Sequence, residues 1–187
     1  VPDRIQAATY MAAVGVARGE VKLVDVRIDH MDMLIKRFTE MGMRITPLED
    51  GALVESHDRL KSIDVATLPY PGIATDYKPL LVTMLSVADG VGIVTENLYP
   101  GRFRYVEELQ RLGADIRTDG HHAVVRGKET LSGAPVRAPD IRAGAALVVA
   151  GLAATGTTVI RDLSHIDRGY EDLVGRLRSV GADIERG

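Results

Sequence analysis

The chain has 187 residues, 45% hydrophobic and 26% charged, which is enough apolar material for one substantial core or two small ones and too much for a disordered chain. It contains no cysteine, so disulfides, thiolate metal sites and a cysteine nucleophile are excluded within these residues. A net charge of -3 leaves no basic footprint for nucleic acid, and no apolar run is long enough to cross a membrane.

The chain opens on "VPDRIQAATY", which has no basic segment followed by an apolar stretch and so does not read as a signal peptide. A soluble cytoplasmic protein is the expectation, and the absence of an initiator Met suggests a piece of a longer chain. The first element is a helix, "PDRIQAATYMAAVGVARG", with Asp3 at its start and Gly19 closing it. A strand follows, then an amphipathic helix with Met33, Leu34, Phe38 and Met41 on one stripe and Gly42 behind it. Two further strands come next, the second being "GALVES".

The same order then recurs. A second helix, "TDYKPLLVTMLSVADG", runs from Asp76 to Gly90 and carries no charge from Leu80 to Ala88. After a strand comes an amphipathic helix with Val106, Leu109 and Leu112 on its apolar stripe, ended by Gly113, and then the strand "HAVVRG". A third apolar helix, "PDIRAGAALVVAGLAATG", runs from Asp140 to Gly156. It leads to a strand and to a last helix striped with Leu173, Val174, Leu177 and Val180, ended by Gly181. Three internal units are therefore expected, at about 1–67, 68–135 and 136–187, each starting on a helix buried on all sides. Small residues such as Ala143, Gly144 and Ala145 would let helices approach closely. The βαβ order predicts parallel strands with right-handed crossovers. The first and third units read as lacking a strand, to be supplied by sequence outside these residues.

Several polar residues stand out. Asp3, Asp76 and Asp140 hold equivalent places before apolar helices, where helix capping is the commoner role. Arg142 sits in a first helical turn, where the helix dipole disfavours a cation, unless an anion bridges it to the helix end or it pairs with Asp140. Arg102, in "YPGRF", and Arg168, in "HIDRGYE", lie in strand-to-helix loops. The plain alternatives are a solvated side chain for Arg102 and a salt bridge to Asp167 or Glu171 for Arg168. Three arginines on three loops suit a multiply anionic ligand better than one structural network. His121 and His122 read as turn-surface residues, and with His30, His57 and His165 they form no metal-ligand spacing.

"PDRIQAATYMAA", Thr75-Asp76, Thr95-Glu96, Arg102-Phe103, "PDIRAGAALVVAGLAA", "HIDRGYE" and "LRSVGADIER" occur here in the order seen in one enzyme family. Together they resemble the C-terminal half of the UDP-N-acetylglucosamine 1-carboxyvinyltransferases, across essentially the whole chain. The resemblance implies an α/β fold: one globule of an inside-out α/β barrel, built from three βαβαββ-type units around three buried helices. It also implies that a second globule, and a short segment from the extreme N-terminus, complete the protein. The implied reaction moves the enolpyruvyl group of phosphoenolpyruvate to the 3-hydroxyl of UDP-N-acetylglucosamine, releasing phosphate, in peptidoglycan synthesis. No metal or organic cofactor is implied.

By the same resemblance Asp76 is the general base and contacts the sugar. Arg102, Arg142 and Arg168 are phosphoenolpyruvate ligands, Asp140 and Ile141 lie beside them, and Leu98 and Tyr99 hold the UDP-sugar. The general acid lies outside these residues, so the isolated chain is expected to be inactive. The sequence departs from the family at Tyr77, Lys78 and Leu80, at Pro100 and Gly101, and at Tyr105 and Glu107. Lys78 is placed to lower a neighbouring carboxylate's pKa or to add an anion contact. Two alternatives follow: a 3-phosphoshikimate 1-carboxyvinyltransferase or diverged paralogue, and a non-catalytic anion-binding domain.

Overall fold

A computed structural model describes residues 3–99 and 101–187. Three apolar helices form its centre: α1 (Arg4–Ala17), α3 (Lys78–Val87) and α5 (Ile141–Leu152). A helix apolar on every side has no face to offer water, so each packs against the other two. All ten residues of α3 are buried, as are Ala143 to Ala150 of α5. Gly144 permits a close approach, though not to another central helix. A Cβ there would lie 2.7 Å from Ile166 Cγ1 and 2.9 Å from Ala138 Cβ.

Two of the three aspartates cap their helices. The Asp3 carboxylate accepts the N–H groups of Ile5 and Gln6, and that of Asp140 accepts those of Arg142 and Ala143. Asp76 does not cap. It lies inside a 3-10 turn, Thr75–Tyr77, that runs directly into α3, so its side chain is turned away from the helix amides. Pro79 fits the first turn of α3 because an N–H there needs no helical partner.

Sheets lie around this centre. β1 (Gly19–Val24), β2 (Arg44–Leu48) and β3 (Gly51–Ser56) form one, in the order β1-β3-β2. β4 (Val65–Ala66), β5 (Val91–Thr95), β6 (Asp115–Asp119) and β7 (His122–Arg126) form the next, in the order β4-β5-β7-β6. β8 (Leu131–Ser132) and β9 (Pro135–Arg137) pair with β10 (Ala154–Thr155) and β11 (Val159–Arg161) respectively, both in parallel.

The expected parallel neighbours are only partly present. β1 and β2 run the same way, but β3 lies between them and is antiparallel to both. β7 separates β5 and β6 in the same manner. The extra strand of each unit folds back as a tight hairpin and inserts, because a short turn leaves it nowhere else to pair. Alternation then points Ala52 and Val54 of β3, and Ala123 and Val125 of β7, into the core.

The outer helices are α2 (Asp32–Glu40), α4 (Val106–Arg111) and α7 (Leu173–Ser179), with a single turn, α6 (Ser164–Asp167), before the last. Leu34 and Phe38, Val106 and Leu109, and Leu173 and Leu177 are buried. Val180 is not: it is 53% exposed, beside an open cleft of about 1110 Å³ between α1, the edge strand β1 and the end of α7. Gly42, Gly113 and Gly181 all have positive φ, at 103°, 88° and 98°. Behind each, the next N–H reaches back to a carbonyl of the last helical turn: Met43 to Phe38, Ala114 to Leu109, Ala182 to Leu177. That is the glycine-dependent C-terminal cap expected from the sequence. Among the described residues no helix is long and apolar enough to cross a membrane.

Gly144→Val should therefore push Ile166 and Ala138 apart and lower stability by about 1–3 kcal/mol, the usual range for overpacking a dense core. Urea denaturation measures it, and an unchanged midpoint would contradict the close packing described.

Candidate functional site

The 3-10 turn before α3 and the first turn of α5 lie side by side, and Asp76 joins them. Arg142 Nε donates to Asp76 Oδ2 at 3.2 Å, and Arg102 Nη1 stands 3.8 Å from Oδ1. One carboxylate thus lies against two guanidinium groups from separate parts of the chain. All three side chains remain partly open to solvent, with Asp76 35% exposed. The conflict between Arg142 and the helix dipole is met by two acids: Asp140 takes its backbone N–H, and Asp76 takes its side chain. No ion pair joins Arg142 to Asp140 among the described residues.

Arg168 is exposed at the end of α6 and makes neither of the salt bridges that would explain it structurally. Asp167 pairs with Arg186, and Glu171 with Arg176. Its turn is nonetheless held near the others. Gln6 Nε2 donates to the Gly169 carbonyl at 3.0 Å, and Gly169 is so close to Ile141 that a Cβ would overlap its side chain. Next to it, the buried Tyr170 hydroxyl lies 2.7 Å from Thr9 Oγ1. Burial pushes the Tyr170 phenol up, while Thr9 and Arg142 pull the other way.

Leu98 and Tyr99 are placed by their backbones. Their N–H groups donate to Glu96 Oε1 at 2.8 and 3.0 Å. The Tyr99 ring is exposed, with the Arg102 guanidinium 5.3 Å from its centre, at the range of a cation–π contact. Of the two departures from the family in this loop, Pro100 lies outside the described residues and Gly101 takes a φ of 77°.

The most buried charges of this region are Glu96, 0% exposed, and Lys78, 1% exposed, with Nζ and Oε2 2.7 Å apart. The contact is a close ion pair rather than an aligned hydrogen bond, since Nζ has no well-directed acceptor. It also stands 4.2 Å from the centre of the Phe103 ring. Thr67 and Thr75 hydroxyls donate to the same carboxylate, each at 2.7 Å. Burial pushes the Glu96 carboxyl up, but Lys78, the two threonines and the Tyr99 N–H outweigh it and hold the group at about 2. Burial lowers the Lys78 ammonium, and Glu96 opposes that only in part.

Lys78 was placed by sequence as able to lower a carboxylate's pKa, and Glu96 is that carboxylate. What sequence reasoning missed was Glu96 as its partner. The available signal was a lysine entering a run with no other charge, since such a cation must find an acid. His121 and His122 are exposed, as expected, but not idle: their rings reach the Glu96 carbonyl at 3.1 Å and Thr95 Oγ1 at 2.9 Å. Among the described residues no group of three or more His, Asp or Glu could hold a metal ion.

A family model described as EPSP synthase (3-phosphoshikimate 1-carboxyvinyltransferase) matches residues 1–177. The chain is 48% identical to UDP-N-acetylglucosamine 1-carboxyvinyltransferase from Mycobacterium leprae (strain TN) over 186 residues, 100% of this chain and 44% of that protein. It is also 48% identical, over 187 residues and 45% of the relative, to UDP-N-acetylglucosamine 1-carboxyvinyltransferase 2 from Caldanaerobacter subterraneus subsp. tengcongensis. The crystal structure of the enolpyruvyl transferase NikO from Streptomyces tendae superimposes with a TM-score of 0.87 at 29% identity, covering 99% of this chain and 44% of that one. EPSP synthase from Acinetobacter baumannii gives 0.66 at 18% identity, over 97% of this chain and 43% of that one, a likeness of fold alone. The chain therefore spans somewhat less than half the length of the relatives it matches, and its fold is the inside-out α/β arrangement of enolpyruvyl transferases.

Removing one partner of the buried pair should cost far more than removing both. Glu96→Gln strands the Lys78 ammonium and should lower stability by about 3–5 kcal/mol, whereas Glu96→Gln with Lys78→Met should cost much less. Because the Glu96 carboxyl is depressed from 4.5 to about 2, its contribution is complete above pH 4.5 and is lost as pH falls towards 2. Denaturation followed across that window should show a steeper loss for the parent than for the neutral pair. Equal slopes would contradict the assignment.

Proposed function

The chain belongs to the EPSP synthase family, and from that premise we propose that it is half of an enolpyruvyl transferase. The reaction proposed moves the enolpyruvyl group of phosphoenolpyruvate to the 3-hydroxyl of UDP-N-acetylglucosamine and releases phosphate, in peptidoglycan synthesis. The observation that carries the reading is the Asp76 carboxylate lying between Arg102 and Arg142, partly open to solvent. Such a cluster can exchange an internal anion for a substrate anion, freeing the carboxylate to act as a base.

In this reading Asp76 accepts the proton of the sugar hydroxyl as its oxygen bonds to the central carbon of phosphoenolpyruvate. A proton from an acid outside these residues goes to the methylene carbon, giving a tetrahedral ketal. Loss of a methyl proton and of phosphate then restores the double bond. Arg102, Arg142 and Arg168 supply the fixed cations that hold the carboxylate and phosphate throughout. Asp140 and Ile141 shape the first turn of α5 around the anion, and Leu98 and Tyr99 line the sugar side.

The three internal units, about 1–67, 68–135 and 136–187, contribute unequally, since the cations come from the second and third. The remainder of the longer protein supplies the acid and the second globule, and covers the cleft beside β1 and α7. A cytoplasmic setting follows from a nucleotide-sugar acceptor. The shikimate 3-phosphate reading draws on the family model's description, but the relatives at 48% identity favour the nucleotide sugar.

Phosphate release from phosphoenolpyruvate plus UDP-N-acetylglucosamine is the test. The full-length protein should turn over and the isolated chain should not. Turnover by the isolated chain would overturn the half-site reading, and activity on shikimate 3-phosphate alone would replace the acceptor. Arg142→Ala in the full-length protein should weaken phosphoenolpyruvate binding by about tenfold or more, the worth of a charge-assisted hydrogen bond. Unchanged kinetics would remove Arg142 from the site.

A further inference from the structure

Glu96 and Lys78 have no part in the chemistry proposed above, yet they form a fully buried ion pair directly beneath it. Five groups converge on the one carboxylate. Oε1 accepts the Thr67 hydroxyl and the N–H groups of Leu98 and Tyr99, while Oε2 accepts the Thr75 hydroxyl and lies against Lys78 Nζ. Thr75 and Lys78 bracket Asp76 and Tyr77, so the carboxylate grips the 3-10 turn on both sides and leaves Asp76 pointing outward. Leu98 and Tyr99 begin the loop that ends at Arg102. Lys78 reinforces that side as well, through its contact with the Phe103 ring.

We propose that Glu96, kept ionised by Lys78, is a positioning residue that ties the turn bearing Asp76 to the loop bearing Arg102. The inference rests on the functional reading above. An ionised carboxylate offers acceptors only, whereas the amide of glutamine would direct two N–H groups at a cluster of donors. The charge is therefore required by the convergence, and so is a buried cation to keep it. Among the described residues, the charged and titratable groups set against Glu96 are Lys78 from α3, Tyr105 from the following loop and His121, on its carbonyl, from the β6–β7 turn; Arg102 acts on Lys78 and pairs with Asp76, and Asp140 lies towards Tyr105. Among the described residues, Lys78 alone is an ammonium in contact with the carboxylate oxygens.

The test uses the full-length protein and the phosphate-release assay, with kcat followed against pH. Lys78→Met removes the cation, so the acid limb of the kcat profile should move up by about one pH unit or more. Glu96→Gln combined with Lys78→Met removes both charges. The acid limb should then return to its parental position, with kcat lower by about tenfold or more through misplacement of the reacting groups and a melting temperature near the parent's. Thr75→Val cuts one tie without touching the ion pair; it should lower kcat, and Thr75→Ser should restore it. An unmoved acid limb in Lys78→Met, or parental kcat in the folded double variant, overturns the inference and leaves the enzymatic reading standing. Should neither charge variant fold, parental kcat in Thr75→Val overturns it. A parent that releases no phosphate with UDP-N-acetylglucosamine overturns the enzymatic reading, and the inference with it.

Discussion

Three helices with almost no polar face must be covered by one another and by the sheets and outer helices around them, and that constraint sets the rest of the molecule. α1, α3 and α5 share one direction. Their ends Ala17, Val87 and Leu152 line a common small cleft, while the starts of α3 and α5 meet at the opposite end through Arg142 and Asp76, and α1 touches the same 3-10 turn. Three N-terminal ends gathered together concentrate partial positive charge. The arginines near them add full charges. This end of the fold therefore demands anions, and the chain answers with acids placed in three different ways.

Asp3 and Asp140 are local solutions that satisfy orphan amides of their own helices. Asp76 is a tertiary one, reaching across to an arginine on another helix. Glu96 is the buried one: it takes no helix amide but gathers the loop and the turn. The division matters for function. In the proposed reading, a partly exposed carboxylate between two arginines gives them up to a substrate, whereas a fully buried one does not exchange and instead fixes the geometry of the site. A single buried lysine makes the second role compatible with folding.

What could be read from the sequence was what is local. The glycine-ended outer helices, the capping by Asp3 and Asp140 and the all-apolar central helices depend on residues within a few positions of one another. The order β1-β3-β2 did not follow from the βαβ pattern, because a hairpin strand chooses its place by tertiary pairing. By its position before an apolar helix Asp76 matches the capping aspartates, but it lies within a 3-10 turn that points its side chain away from the helix amides. The salt bridges that would have given Arg168 a plain structural role are absent among the described residues, because Asp167 pairs with Arg186 and Glu171 with Arg176. Val180 continues an apolar stripe but faces a cleft. At the site, the arginines and Asp76 were visible as residue types on loops. Their convergence, and the Glu96–Lys78 pair beneath them, required the fold.

The central claim is that the Asp76–arginine cluster is a substrate-exchangeable anion site. A crystal structure of the full-length protein with phosphoenolpyruvate and UDP-N-acetylglucosamine bound tests it most directly. Carboxylate or phosphate oxygens of the substrate should lie within hydrogen-bonding distance of Arg102 and Arg142, with Asp76 released from Arg142 and turned to the sugar hydroxyl. Substrate bound elsewhere, with the Asp76–Arg142 contact unchanged, would contradict it.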